Sequence, residues 1–344
     1  MNSQPFGTVR LSLDDLVAEG VIDPALASQL RKRCLPPVAS NGLVAVLYIL
    51  GALAVAAGVV ALKPTPTTGL VLALIALVGG WFVGRSGDAA MRILSLGLGI
   101  CGALGLCGWF ALEFGQALPA ITVSGFATLT AFLTAIAFRS LFLSALVPLG
   151  IGAMLGSGTA YWHASYAIFV REPLITLVLF GALAAALVTV VDRNLLRDVH
   201  ARMAEVAMRV SFVIANFGFW VGSLWGDHVG EHLSGIRERG DGESWRAANE
   251  RLAAWRTEAF HVPDAVFALG WVGFAVAAIV LGRRIERRFI ATGGIVFLAI
   301  NAYTQFFERF HAEEWALILG GASMVALAAG LVRYVARQPS PRPV

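Results

Sequence analysis

The chain has 344 residues, 58% of them hydrophobic and only 14% charged, against about 45–50% and about 25% in a soluble domain. That composition excludes a water-soluble fold, and runs such as Leu70 to Val78, with no polar/apolar alternation, exclude a β-barrel. The net charge of +4 does not indicate nucleic acid, because all the basic residues except Lys32 and Lys63 are Arg and they sit in short clusters between apolar blocks.

Residues 1–42 read as a cytoplasmic arm folded into a helical hairpin. Ser12 can cap a first helix through Leu13, Leu16 and Val17, Gly20 ends it, and Asp23-Pro24 starts a second one carrying Leu26 and Leu30. Arg31-Lys32-Arg33 and Pro36-Pro37 close the arm. About thirty residues cannot make a core alone, so the arm is expected to pack on the membrane domain or another chain. The first apolar run begins at Leu43 and is expected to act as an uncleaved anchor.

The apolar blocks that follow predict an all-α, polytopic transmembrane helical bundle of about ten spans, near 43–62, 68–84, 91–112, 118–137, 141–161, 173–191, 206–226, 264–282, 289–307 and 315–335. Charge between the blocks fits this count. With the amino terminus inside, the inner segments hold 18 of the 26 basic residues and the outer segments 13 of the 22 acids; the inner side nets 18 − 9 = +9 and the outer 8 − 13 = −5, as short cytoplasmic loops require. Both termini are then cytoplasmic, with the membrane domain at 43–338 and a disordered tail at 339–344. All nine Trp residues except Trp81 fall at or beyond the predicted outer ends of spans, reading as an interfacial belt. The one long loop, 226–263, is external; Trp245, Leu252 and Trp255 share a helical face there, so an amphipathic helix on the membrane surface or capping the bundle competes with a solvated loop.

The pattern Leu13-x-x-Leu16-x-x-x-Gly20-x-Ile22, a basic turn, many spans, and Asn301-Ala-Tyr303-Thr-Gln305-Phe306-Phe307-Glu308 before a last Gly-containing span resembles the bacterial predicted membrane proteins grouped as domain of unknown function 2157. The resemblance covers the arm, the first spans and the carboxyl end. It implies a bacterial inner-membrane location and an arm-plus-bundle architecture, and no reaction.

Gly97-Leu-Gly99-Ile-Cys-Gly102 matches GxGxxG, but it lies inside an apolar block without the strand and acidic residue that a dinucleotide site needs. Its small residues read instead as a helix-packing face. Cys34, Cys101 and Cys107 lack CxxC spacing and read as packing residues. His228-Val-Gly-Glu231-His232 matches the HxxEH of one zinc-protease class, and His228, Glu231 and His232 are candidate metal ligands on the outer rim, against a solvated polar turn. No cofactor is implied, and no nucleophile–base pair or phosphate loop marks an enzyme.

Polar groups within spans are functional candidates because lipid does not satisfy them. Asn301, Gln305 and Glu308 recur on one face of the ninth span, Glu113 closes the third, and Asn216 lies deeper in the seventh. One reading is an outward-facing polar vestibule lined by Glu113, Asn216, Asn301, Gln305 and Glu308, as in a transporter. The other is interhelical hydrogen bonding in a non-transport scaffold or assembly factor that docks partners through its arm and external loop. Expected partners are the lipid bilayer and a second copy or another membrane protein, with no nucleic acid.

Overall fold

The structure is a computed structural model that describes residues 16–17, 20–27, 51, 65–86, 89–162, 165–237, 240, 242–310, 318, 321–323, 325–326 and 329. It is almost entirely helical. In chain order the elements are α1 (Pro66–Val83), α2 (Ala89–Phe114), α3 (Ala120–Phe138), α4 (Leu141–Met154), β1 (Gly158–Trp162), β2 (Ser165–Phe169), α5 (Pro173–Asp192), α6 (Asp198–Trp225), β3 (Asp227–His228), α7 (Trp245–Glu258), β4 (His261–Val262), α8 (Asp264–Arg284) and α9 (Arg288–Phe310). Seven helices, α1, α2, α3, α5, α6, α8 and α9, are long and apolar enough to cross a membrane, which fits an integral multi-pass protein.

The predicted spans near 43–62 and 315–335 lie outside the described residues or are described only at single positions, and the tail at 339–344 is outside them. Of the arm, Leu16, Val17 and residues 24–27 are helical, and Gly20 turns the chain at φ +69°. Leu13 and Leu30, which the hairpin needs, lie outside the described residues. The fifth predicted span is different from expectation. Its helix, α4, has only 14 residues, about 21 Å of axis, and the remainder of the apolar run becomes an antiparallel hairpin with Gly158 opposite Phe169 and Trp162 opposite Ser165. Gly156, at φ +72°, provides the left-handed residue that ends the helix.

The chain divides into two compact units, residues 1–102 and 103–344. In the first, α1 starts at Thr65, whose side chain accepts from the Thr68 N–H, with Pro66 in the first turn. It packs tightly on the beginning of α2. Ser95 Oγ donates to the Gly80 carbonyl at 2.6 Å, and a Cβ on Gly102 would stand 2.7 Å from Leu77 Cγ and 2.9 Å from the Ala73 carbonyl oxygen. Such close approach is what small residues permit between membrane helices.

In the second unit α6 is the central element, 28 residues long and the most buried of the seven. It packs against α4, α5, α8 and α9. Met208, Phe212, Phe219, Phe267, Trp271 and Phe297 make the main core cluster, and Leu155, Phe180, Ile214 and Ala215 a second one on the α4–α5 side. At one end Arg287 reaches from the α8–α9 turn to Asp192 at 2.5 Å and Glu205 at 3.8 Å, so the α5–α6 turn meets the α8–α9 turn. At the opposite end the β1–β2 hairpin leads into α5, and the segment between α6 and α8 folds back. α5 and α6, and likewise α8 and α9, therefore run in opposite directions. The long loop lies at the hairpin end and forms a cap.

Candidate functional site

The cap is organised by three buried carboxylates that a bundle end in lipid or water would not ordinarily retain unpaired. Glu172 directly precedes Pro173, the first residue of α5, and is fully buried. Its Oε2 accepts from the Gly230 N–H at 2.8 Å, and its Oε1 accepts from His232 at 2.6 Å and Leu233 at 3.1 Å. A turn of the long loop thus wraps its amides around one carboxylate, an arrangement that satisfies a buried anion with charge-assisted hydrogen bonds.

Asp227, also buried, follows Gly226. The glycine holds φ +68°, and a Cβ there would meet the Val262 carbonyl oxygen at 2.8 Å. This tight turn lets β3 pair with β4, placing Asp227 opposite Val262 and His228 opposite His261, whose rings lie 4.4 Å apart. Asp227 Oδ2 accepts from the Leu174 N–H at 2.8 Å, so the carboxylate ties β3 to the first turn of α5, where the helix dipole favours negative charge. Burial still pushes its pKa up to about 6, and Glu172 and Glu231 add to the rise against the Leu174 hydrogen bond. His228 is held below its ordinary value by burial and by the neighbouring His261 and Arg256.

Glu231 is the third carboxylate. Arg256 of α7 grips it with both ends of its fork, Nε to Oε2 at 2.8 Å and Nη2 to Oε1 at 2.9 Å, and Arg237 adds a bond from its Nε. Burial alone would raise Glu231, but the hydrogen bonds from Arg256 and Arg237 outweigh it and hold the group below the usual carboxylate range. The same pair holds Arg256 above its ordinary value. α7 is thereby clamped to the loop turn. The helix expected around 243–259 does form, with Ser244 accepting from the Ala247 N–H as its cap; Trp245 is exposed, and Leu252 and Trp255 are half-buried.

Between these groups lies a cavity of about 410 Å³ lined by Phe169, Val170, Arg171, Pro173, Val221, Trp225, Gly226, Asp227, His228, Glu231, Arg237 and Arg256. Its walls are mixed, three guanidiniums together with aromatic and aliphatic groups.

The residues singled out from sequence fall in two places. His228, Glu231 and His232 do share the cap turn, but the Glu231 carboxylate faces two guanidiniums, and His232 Nδ1 lies 3.5 Å from Arg171 Nη1. Among the described residues no group of three His, Cys, Asp or Glu is arranged to hold a metal ion. Asn216, Asn301 and Gln305 lie in the bundle and bond between helices. Asn216 Nδ2 donates to the Phe212 carbonyl at 2.8 Å while its Oδ1 accepts from Trp271 Nε1 at 2.9 Å. Asn301 Nδ2 donates to the Ala268 carbonyl at 3.1 Å, and Gln305 Nε2 to the Ser223 carbonyl at 3.5 Å. Glu113 and Glu308 are exposed. Trp271, expected in the interfacial belt, is instead fully buried, because its indole N–H is needed by Asn216.

Sequence reasoning named neither Glu172 nor Asp227 as a site residue. A signal existed: each is an acid immediately flanking a long apolar helix, Glu172 before Pro173 and Asp227 one residue past Gly226. No family model, curated protein or solved structure matches the chain.

Proposed function

We propose that this is a non-transport integral membrane protein whose working part is the cap, a folded binding platform held at the membrane surface by about ten spans. The observation that carries this reading is Glu172, whose carboxylate receives three loop amides and so makes the long loop a built structure continuous with α5. Two further points support it. The clamp of Arg256 and Arg237 on Glu231 fixes α7 on that structure, and the three amide side chains of the bundle each bridge helices, the use expected of polar glue rather than of a permeation path. In this reading the cap is external, both termini are cytoplasmic, and the membrane is the bacterial inner membrane, in keeping with the charge asymmetry and the family resemblance.

The transporter reading keeps one observation in its favour. Asn301 Oδ1 is buried without a hydrogen-bond partner among the described residues, as a group facing a water-filled path would be.

Reporter fusions test the placement. Fusions at Arg139, Arg197 and Arg287 are expected to report the cytoplasm, and fusions at Glu172 and Arg246 the exterior. A cytoplasmic signal at Arg246 would remove the external cap and with it the proposed platform.

A further inference from the structure

A second cavity adjoins the arginine-lined one and has the opposite chemistry. It is a groove of about 590 Å³ along α4 and α6, with Leu149, Ala153, Val210, Val213 and Phe217 among its walls, and its polar surface is slight. Phe169 and Val170 line both spaces, so the groove lies beside the polar cavity, and Arg209 and Phe289 are among its other walls. From Phe217 to Arg209 it follows about 12 Å of helix axis.

Three guanidiniums, Arg171, Arg237 and Arg256, line the polar cavity with two carboxylates, Glu231 and Asp227, and the buried Glu172 carboxylate stands behind them, close enough to act on Asp227. Arg256 spends its fork on Glu231, but Arg237 contributes only its Nε there. Arg171 is exposed, and no carboxylate among the described residues pairs with it; its guanidinium lies near His232 and over Phe169, 5.8 Å from the ring centroid. Guanidinium groups with unspent terminal N–H donors match phosphate oxygens. An exposed Trp225 at the rim suits the level of lipid headgroups.

An arginine-lined pocket beside an apolar groove, in a bundle of apolar helices, is the negative image of an anionic amphiphile. We propose that the two spaces together hold one anionic phospholipid, its phosphate against Arg171 and Arg237 and one acyl chain in the groove between α4 and α6. This rests on the platform reading of the cap and names what that platform takes. The hairpin is part of the device: because α4 stops at Met154 and β2 returns through Phe169 and Val170, the bundle wall leaves a gap beside α6 that a chain fills.

The test uses the full-length protein purified in mild detergent and offered phosphatidylglycerol, phosphatidylcholine or inorganic phosphate, with retained lipid read by native mass spectrometry. The expected result is one phosphatidylglycerol retained at least about 10-fold in preference to phosphatidylcholine. Arg171→Gln should reduce that preference by about 10-fold. Ala153→Trp, which fills the groove, should lower retention of the lipid while leaving phosphate binding unchanged. Equal retention of the two lipids overturns the headgroup assignment. Phosphate binding as strong as lipid binding, with Ala153→Trp silent, replaces the lipid with a free anion. Limited proteolysis on the same samples separates the two levels of the proposal: no lipid bound to a protein whose 226–263 segment resists protease rejects the lipid and keeps the platform, whereas rapid cleavage in that segment rejects both.

Discussion

Trp271 Nε1 donates to Asn216 Oδ1 at 2.9 Å in the middle of the bundle, with both residues fully buried. The bond joins α8 to α6 at the point where Phe212, Phe219 and Phe297 converge, and it is closed on the other side by the Asn216 amide on the Phe212 carbonyl. Trp271→Phe keeps most of the ring volume but leaves Asn216 Oδ1 unsatisfied, which costs about 1–3 kcal/mol. Thermal unfolding in detergent should show that loss. Asn216→Leu should cost a similar amount, and the double variant less than the sum of the two, since one broken bond cannot be lost twice.

Glu172→Gln removes the charge while keeping one acceptor oxygen. Hydrogen bonds to a charged acceptor contribute about 1.5–3 kcal/mol each against about 1 for neutral ones. Amide hydrogen exchange at Gly230, His232 and Leu233 should accelerate by about 10-fold or more, while exchange in α6 and α8 stays protected. Unchanged exchange at those three amides would mean that the loop is held by something other than this carboxylate.

The pH dependence of the cap follows from Asp227. Its folded pKa is raised to about 6 from an ordinary 3.8, so its contribution to stability is fully present below about 3.8 and is lost as pH rises through about 6. His228, lowered from 6.5, works in the opposite sense, stabilising above 6.5 and losing that contribution as pH falls. Asp227→Asn isolates the first: protease resistance of the 226–263 segment should fall between about pH 4 and about pH 6 less steeply in the variant than in the parent. The same slope in both would remove Asp227 as the titrating group.

Cysteine accessibility separates a packed bundle from a vestibule. In a background without Cys34, Cys101 and Cys107, cysteines at Asn301 and Gln305 should resist a membrane-impermeant thiol reagent, because both side chains sit at helix–helix bonds and a thiol away from water does not ionise to react. A cysteine at the exposed Trp245 should react. Rapid labelling at Asn301 would restore the water-lined path that its free Oδ1 allows.

Much of this architecture is legible in the order of residues. Apolar blocks of about 20 separated by arginines locate seven of the expected spans, because only the backbone satisfied within a helix survives in lipid, and the spacing of Trp245, Leu252 and Trp255 locates α7. The stretch 141–161 misleads for a physical reason: the apolar run of 141–155 carries the hydropathy, but the Thr159-Ala-Tyr-Trp that follows Gly156 and Gly158 is rich in the aromatic and β-branched residues that suit a strand, and length alone does not mark where the helix stops. Trp271 misleads similarly, since an indole fits an interface or a buried acceptor, and only the position of Asn216 across the helix pair decides. The cap was hidden because its chemistry is assembled from four separated places, Glu172, Asp227, Glu231 with Arg237, and Arg256, and sequence spacing is silent on which loop acid meets which arginine.

The shortness of α4 reaches beyond the protein itself. A helix of 14 residues spans about 21 Å of a hydrocarbon layer about 30 Å thick, while α3 and α6 on either side of it in the bundle are 19 and 28 residues long. Among the described helices packed on α6, hydrophobic mismatch is therefore largest at α4, and lipid beside it must thin or tilt its chains. Such a dent costs elastic energy that two dents sharing a boundary reduce, so in bilayers of increasing acyl-chain length the protein should cluster, with α4 at the contact.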